Sequence, residues 1–285
     1  MTGRLFVTLV AIVCMAAGCG GSGGGAPKAP VIGAAKVYHL SGFSPSGVVR
    51  TGQPVTISFT VRQPSGAPLV HYRTGPGPHV GVHLIIVRDD LATIIHRHPP
   101  IGKNGLVQQR VVFTKPGPYH VLVDLYPATS GPGYVNFQLF TSVHVAGAYH
   151  PITLPPFRPE VTVDGWRFTI KHLPVLHLAQ ASLLTVTVRN AAGQPAMFLP
   201  WYGAMGHAIF FHQHDLAYFH THICAPNQTA CATVGGATAI SGSSTVPGVM
   251  HVGVLPPEAG VWRLFLQCQV HHGQIITAPF TLTVR

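Results

Sequence analysis

One histidine pattern occurs twice in this chain, and no other feature constrains the fold as strongly. In each half, a first histidine is followed by two more at 13 and 15 residues, and the two copies are offset by 124 residues. The six residues are His83, His96, His98, His207, His220 and His222. The neighbouring residues repeat as well, since HLIIVRDDLATIIHRH at 83–98 aligns with HAIFFHQHDLAYFHTH at 207–222. The sequence therefore predicts two similar modules that carry the same three imidazoles.

The repeat extends to the segments around the histidines. SFTVRQPSGAPL at 58–69 resembles LTVTVRNAAGQPA at 184–196, and GPYHVLVDLY at 117–126 matches GVWRLFLQCQ at 260–269. Short runs rich in β-branched and aromatic residues, separated by glycine and proline turns, indicate strands of a β-sandwich. Helix signals are nearly absent. We therefore predict an all-β fold of two tandem Ig-like antiparallel β-sandwich domains.

The domain boundaries follow from the repeat and from proline content. The two sandwiches are predicted at 34–148 and 160–285, which are sizes usual for single domains. The segment between them, YHPITLPPFRPE, contains four prolines. Because proline interrupts strand pairing and stiffens a connection, residues 149–159 are predicted to be a linker.

The N-terminus predicts export. Residues 5–17 are an apolar run of 13 residues after Arg4. This run is shorter than the roughly 20 residues of a membrane span and has the layout of a secretory signal, predicted at 1–18. The following Ala-Ala-Gly-Cys resembles a bacterial lipobox, which implies acylation of Cys19, for example by palmitate. A Gly/Ser-rich tether at 19–33 would then join a membrane-anchored, extracytoplasmic protein to the membrane. An ordinary signal peptide is the alternative, and it also predicts export.

The positive charge does not indicate a nucleic-acid partner. The formal net charge is +10, from 17 Lys and Arg against only 7 Asp and Glu. The basic residues are scattered singly and form no Lys/Arg-rich run. We predict no nucleic-acid binding.

The cysteines fit an oxidising compartment. Cys224 and Cys231 are seven residues apart in a polar loop, and they are predicted to form a disulfide. Cys268 lies in an apolar alternation and is predicted to be a buried free thiol. An alternative hypothesis makes Cys224 a metal ligand, because it follows His222 by two residues.

Hairpin geometry determines whether the three histidines of one copy can meet. Residues two apart in a strand share a face, so His96 and His98 are co-facial. His83 joins them only if it pairs opposite one of these two, which requires an even-length turn such as one centred on Asp89-Asp90. The second copy requires the same, with a turn centred on Gln213-His214.

Three imidazoles on one face suggest a metal site. Histidine is the commonest metal ligand in proteins, and imidazole sets suit zinc and copper(II). The sequence predicts one such site in each module. Candidates for a fourth ligand are His79, His120, Met205, His251 and His271. The alternative is that the histidines are structural and bond to backbone groups.

A family resemblance rests on these same motifs. In the first copy they are His83, Asp90-Leu91, His96 and His98-Pro99, and in the second they are His207, Asp215-Leu216, His220 and His222. Both halves resemble exported bacterial Ig-like β-sandwich proteins of the YtkA-like and copper-resistance type. The resemblance implies handling of a metal, copper first, at the cell surface. The second copy departs from it, because Ile223 replaces the proline and the following loop is longer.

The functional prediction is a cell-surface lipoprotein that binds a transition metal, copper in preference to zinc, for capture, buffering or delivery to a partner protein. We predict no enzymatic activity, because the only glutamates, Glu160 and Glu258, lie in the linker region and a turn. A copper oxidase or reductase would need no carboxylate and remains a minor alternative. The main alternative is a structural or protein-interaction surface protein, in which Trp201, Tyr202 and the loop after Cys224 matter more than the imidazoles.

Overall fold

The computed structural model describes residues 38–75, 77–128, 136–224 and 242–285. The predicted signal and tether, with Cys19, and the predicted disulfide partner Cys231 lie outside these residues. Among the described residues, no helix is long and apolar enough to span a membrane.

The first copy is a sandwich of two sheets. Its strands are β1 (His39–Ser44), β2 (Val49–Arg50), β3 (Pro54–Arg62), β4 (Gly81–Arg88), β5 (Ile94–Arg97), β6 (Leu106–Val112), β7 (Gly117–Tyr126) and β8 (Phe137–Ala146). One sheet has the order β1-β3-β6 and the other the order β2-β8-β7-β4-β5. Strands β4, β7 and β8 of the second sheet lie opposite β1, β3 and β6 of the first, and this is the Ig arrangement. Alternate residues of both sheets, such as Phe59, Leu84 and Val107, form the core between them.

The second copy repeats most of these strand pairings, but within one continuous sheet of ten strands. Its strands are β9 (Glu160–Val163), β10 (Trp166–Ile170), β11 (Ser182–Asn190), β12 (Phe198–Leu199), β13 (Gly206–His212), β14 (Tyr218–Cys224), β15 (Gly242–Ser243), β16 (Val249–Val254), β17 (Gly260–Val270) and β18 (Ile275–Val284). Strands β11 and β16 pair as β3 and β6 do, and β14-β13-β17-β18 pair as β5-β4-β7-β8 do. A short 3-10 turn at His271–Gly273 is the only helical element in the described ranges. The predicted all-β, Ig-like fold is confirmed.

Strand β4 and its counterpart β13 are buried on both faces. Seven of the eight residues of β4 are buried, which explains its continuous apolar sequence. Leu84 and Ile86 point into the core of their own copy, whereas Ile85 and Val87 point away from it. Since side chains alternate along a strand, His83 shares the outward face with Ile85 and Val87.

The outward faces of the two copies pack against each other. We name the residues between them the inter-copy cluster, and they are Ile85, Val87, Leu91, Leu122, Leu154, Ile209, Phe211 and Phe265. Ile85 and Ile209 occupy equivalent positions in the repeat, and so do Val87 and Phe211. Burying each such side chain stabilises the packing by about 1.5–3 kcal/mol. This contact places the histidine-bearing faces of both copies against each other.

Candidate metal centre

Both histidine hairpins have the register that brings their imidazoles together. His207 lies directly opposite His222 in the β13–β14 ladder. In the first copy Leu84 pairs with Arg97, so His83 faces His98 one step farther along. The predicted even-length turn is confirmed in both copies.

The turn centres lie one residue later than predicted, at Asp90-Leu91 and His214-Asp215. The predicted centre at Asp89-Asp90, and its counterpart Gln213-His214, were therefore wrong. Aspartate side chains explain the shift, because each accepts a backbone N–H two residues on. The carboxylate of Asp90 accepts from Ala92 at 3.1 Å, and that of Asp215 accepts from Ala217 at 3.0 Å.

The six repeated histidines lie together in one cluster between the copies. We name them the histidine cluster, and they are His83, His96, His98, His207, His220 and His222. Ring centroids of different copies approach to 4.9 Å for His96 and His207, to 5.4 Å for His83 and His220, and to 5.5 Å for His96 and His220. His83, His96 and His207 are 0% exposed. The inter-copy cluster continues from this site along the same faces.

Three of the imidazoles are oriented by acceptors outside the cluster. His83 and His207 donate through Nε2 to the carbonyl oxygens of Pro78 and Trp201, at 2.8 and 3.0 Å. His96 donates through Nδ1 to Oε1 of Gln267, at 3.0 Å. Carbonyl and amide oxygens carry no proton, so these nitrogens must hold the ring hydrogens.

The remaining nitrogens of these three rings carry bare lone pairs inside the cluster. Nε2 of His96 lies 3.1 Å from Nε2 of His98, and Nδ1 of His207 lies 3.2 Å from Nε2 of His220. Without metal, His98 and His220 donate in these contacts, because their partners have no hydrogen there. Two nitrogens at this separation can both reach an ion bound at about 2.0–2.1 Å.

Several ring nitrogens in the cluster have no hydrogen-bond partner among the described residues. They are Nδ1 of His83, Nδ1 of His220 and both nitrogens of His222. A buried polar atom without a partner costs about 1–3 kcal/mol. Such atoms are rare in native proteins unless they serve a ligand or another function. The metal-free cluster therefore contains buried ring nitrogens that make no hydrogen bond to a described residue.

Burial keeps the imidazoles neutral. It lowers the pKa of every histidine in the cluster, and mutual repulsion between their charged forms lowers most of them further. The pKa of His207 falls to about 4. Since metal binds the unprotonated ring, the cluster is in its ligand form at neutral pH.

The residues able to hold a metal together fall into three overlapping groups in the cluster. Ligand atoms lie within 4.8 Å of one another in the sets His83/His96/His220, His96/His98/His207 and His207/His220/His222. Two of these three sets combine histidines of both copies, and the third, His207/His220/His222, is the predicted triad of the second copy. Within the described residues, all three consist of histidines alone.

Aromatic residues close the cluster on one side. Tyr202 stacks on His98 with ring centroids 4.0 Å apart, and Trp201 lies 5.6 Å from His96. Trp201 is 8% exposed, so it is not the exposed anchor that the protein-interaction hypothesis requires. Gly203 follows at φ +76°, and its Cα passes against the backbone of Gly77 in the first copy.

Of the predicted fourth ligands, only His79 contacts the cluster by a described ring contact. Its ring centroid lies 4.7 Å from that of His222. His120 contacts Phe140 instead, Met205 belongs to the core of the second copy, and His271 is exposed.

The cysteines take structural positions. Cys224 is disulfide-bonded, which leaves no thiolate for a metal. Its predicted partner lies outside the described residues, so that pairing stays a prediction. Cys268 is a buried free thiol, as predicted.

Gln267 is the site residue that sequence reasoning missed. It lies opposite His207 in the β13–β17 ladder, while Asp124 lies opposite His83 in the first copy. The repeat aligns these two polar residues in otherwise apolar strands. A polar residue at the same position of both copies could have indicated that Gln267 belongs to the site. Its partner was not predictable, because Gln267 bonds to His96 of the other copy.

Comparisons with known proteins give a family match for the second copy only. Residues 161–285 match the model of a domain of unknown function, DUF8832. No curated protein matches the chain.

Solved structures give only distant likenesses. Invasin, a bacterial integrin-binding protein, is 15% identical with a TM-score of 0.23, over 86% of this chain and 38% of invasin. Salmonella α2-macroglobulin is 15% identical with a TM-score of 0.26, over 90% of this chain and 15% of that protein. The fibronectin(III)-like modules of Clostridium thermocellum CbhA are 10% identical with a TM-score of 0.22, over 87% and 93% of the two chains. The chain thus spans well under half of the first two proteins, and scores this low add nothing to the fold described above.

Proposed function

We propose that this protein binds a transition metal, copper in preference to zinc, through the histidine cluster, and that it captures, buffers or delivers the ion outside the cytoplasm without catalysing a reaction. One observation carries the proposal. Three buried imidazoles donate their outer N–H groups to Pro78, Trp201 and Gln267 and direct bare nitrogens inward. Metal-binding histidines are oriented in this way by acceptors behind them.

The donor set favours copper or zinc. Neutral imidazole suits both ions, and copper(II) binds a given nitrogen site more tightly than zinc does. The resemblance of the hairpins to exported copper-resistance proteins supports copper as well. The absence of a carboxylate from the metal-competent sets of the described cluster argues against hard ions such as magnesium or calcium.

The location rests on the N-terminal sequence. A signal peptide with a lipobox-like end would export the chain and attach it by Cys19 to the membrane surface. An oxidising compartment is consistent with the disulfide at Cys224. A soluble or membrane-bound delivery partner would then exchange the ion with this protein.

The test is metal content and affinity of the purified full-length protein, measured by elemental analysis and by titration with copper(I), copper(II) and zinc. The matched variants are His83→Gln/His96→Gln/His207→Gln/His220→Gln, in the cluster, and His144→Gln/His271→Gln, at exposed positions. We expect tight binding that the cluster variant loses by at least about 100-fold and the exposed variant keeps. Equal binding by both folded variants, or no binding by the wild type, would support a surface interaction protein with structural histidines instead.

A further inference from the structure

The histidine cluster contains more donors than one ion can use. Copper and zinc usually take four ligands, and structural and catalytic zinc sites use three or four protein side chains. A single ion in this cluster would leave at least two buried imidazoles without a role. The unpartnered nitrogens described above would then persist on His222 and on its neighbours, at the cost noted for each.

The stacking of His83 on His98 separates the cluster into ligands of different ions. Their ring centroids are 3.9 Å apart and their planes differ by only 18°. An imidazole lone pair lies in the plane of its ring, so an ion in the plane of one of these rings lies far out of the plane of the other. His83 and His98 therefore cannot bind the same ion in this arrangement, and the predicted site made of the first copy alone does not form.

The metal-competent sets show where His98 and His83 find their partners. His98 groups with His96 and His207, and His83 groups with His96 and His220. His96 has only one bare nitrogen, because its Nδ1 donates to Gln267. Its contact of 3.1 Å with His98 assigns that nitrogen to the first set. The third metal-competent set, His207/His220/His222, would leave His83, His96 and His98 for the other ion, and the stacking of His83 on His98 excludes that second site.

The three remaining histidines are the repeat equivalents of that set. His83, His220 and His222 correspond to His207, His96 and His98 through the offset of 124 residues. The ring distances are similar in the two groups, but His83, His220 and His222 are not one of the metal-competent sets, so their ligand atoms must move closer together to share an ion. His96–His98, His96–His207 and His98–His207 are 4.9, 4.9 and 5.8 Å apart, and the equivalent distances are 4.2, 5.4 and 6.0 Å.

We infer that the centre binds two neighbouring metal ions with crossed ligand sets, each ion held by the His-x-His pair of one copy and the first histidine of the other. Set one is His96, His98 and His207, and set two is His83, His220 and His222. This inference rests on the proposed function, because it specifies how the metal is held. It also gives a ligand role to the unpartnered nitrogens, which belong to set two.

Double variants test the crossing, with copper(I) and zinc counted per chain. We expect two ions for the wild type and one each for His98→Gln/His207→Gln and His83→Gln/His222→Gln, since each pair lies in one set. His207→Gln/His222→Gln damages both sets, so we expect it to retain no tightly bound ion. Ligand sets confined to one copy would give the reverse pattern, with one ion kept only by the last variant.

A second measurement on the wild type needs no variant. Two neighbouring copper(II) ions interact through their magnetic dipoles, so the paramagnetic resonance spectrum should show dipolar broadening and a half-field transition. A wild type that binds one ion per chain, or two ions without this dipolar signature, would overturn the dinuclear inference and leave metal binding intact. A wild type that binds none would overturn the proposed function itself.

Discussion

At the scale of single residues, Gln267 connects the two copies most directly. Its Oε1 accepts from His96, and its Nε2 donates to Thr277 at 2.9 Å, which fixes the amide orientation. Residues that orient metal-binding histidines typically contribute 10–100-fold to affinity. We therefore expect Gln267→Ala to weaken metal binding by roughly 10–100-fold without unfolding the protein.

The matched control for this change is Gln269→Ala, two residues along the same strand. Gln269 bonds to the carbonyl of Gly273 and lies outside the cluster. Competition titrations with a metal indicator would measure both variants, and circular dichroism would check their folds. Equal affinities would show that Gln267 does not orient a ligand.

The close approach of Gly203 to the first copy leads to a second prediction for a single residue. A methyl group at this position would lie 2.5 Å from the backbone of Gly77, so the loop would have to move. That loop carries Trp201, whose carbonyl holds His207. We expect Gly203→Ala to reduce metal affinity by about 10-fold or more.

Gly193→Ala separates this clash from backbone strain. Gly193 has φ +79°, close to the +76° of Gly203, but a methyl group there meets nothing within 4 Å. Both variants should lose some stability in chemical denaturation, because a side chain is strained at such φ values. Only Gly203→Ala should lose metal affinity, and equal losses in both would contradict a role for the loop in holding His207.

At the scale of strands, the double burial of β4 and β13 supports the metal site. Phe211 lies on the outward face of β13 and is 0% exposed within the inter-copy cluster. Truncating a buried phenylalanine costs about 3–5 kcal/mol. We expect Phe211→Ala to lower the free energy of unfolding by that amount and to weaken metal binding, because it loosens the contact that aligns the two hairpins.

Phe140→Ala is the control, since Phe140 lies on β8 and is 54% exposed. Urea denaturation should show a change of less than about 0.5 kcal/mol for this variant. A small effect of Phe211→Ala would mean that the copies are not held together by the inter-copy cluster.

The elements also show what the sequence could predict. The short β-branched and aromatic runs between turn signals correctly predicted strands, and the spacing of His96 and His98 correctly predicted a shared face. The turn centre was missed by one residue, because the local hydrogen bonds of Asp90 and Asp215 determine it. Alternation reveals which residues share a face, but not what packs on that face. The sequence therefore predicted two separate triads, while the inter-copy contact that merges them depends on tertiary packing.

At the scale of the whole molecule, the buried neutral imidazoles make stability depend on pH. Their pKa values in the folded protein lie below the unfolded value of 6.5, with His207 and His79 at about 4. As pH falls below 6.5, the unfolded chain binds protons that the folded chain does not. Each such histidine then lowers the free energy of unfolding by up to about 1.4 kcal/mol per pH unit.

We therefore expect metal-free protein to lose stability steeply between about pH 6.5 and pH 5 in urea titrations. Asp124 opposes this trend, because burial raises its pKa to about 6 and the folded state binds its proton more readily. One carboxyl cannot offset six imidazoles. The four-glutamine cluster variant should show a flatter profile, and a flat profile in the wild type would contradict burial of neutral rings.

The packing of both triads into one cluster also determines how metal affinity depends on protein concentration. Both halves of the donor set are on one polypeptide, so they meet as an intramolecular event with a high effective concentration. Metal affinity should therefore be independent of how dilute the protein is. A chain with only one copy, equivalent to residues 161–285, would supply half the donors and would need a second chain to form the crossed two-ion centre. Duplication removes that second-order step, which matters most for a protein present at few molecules per cell.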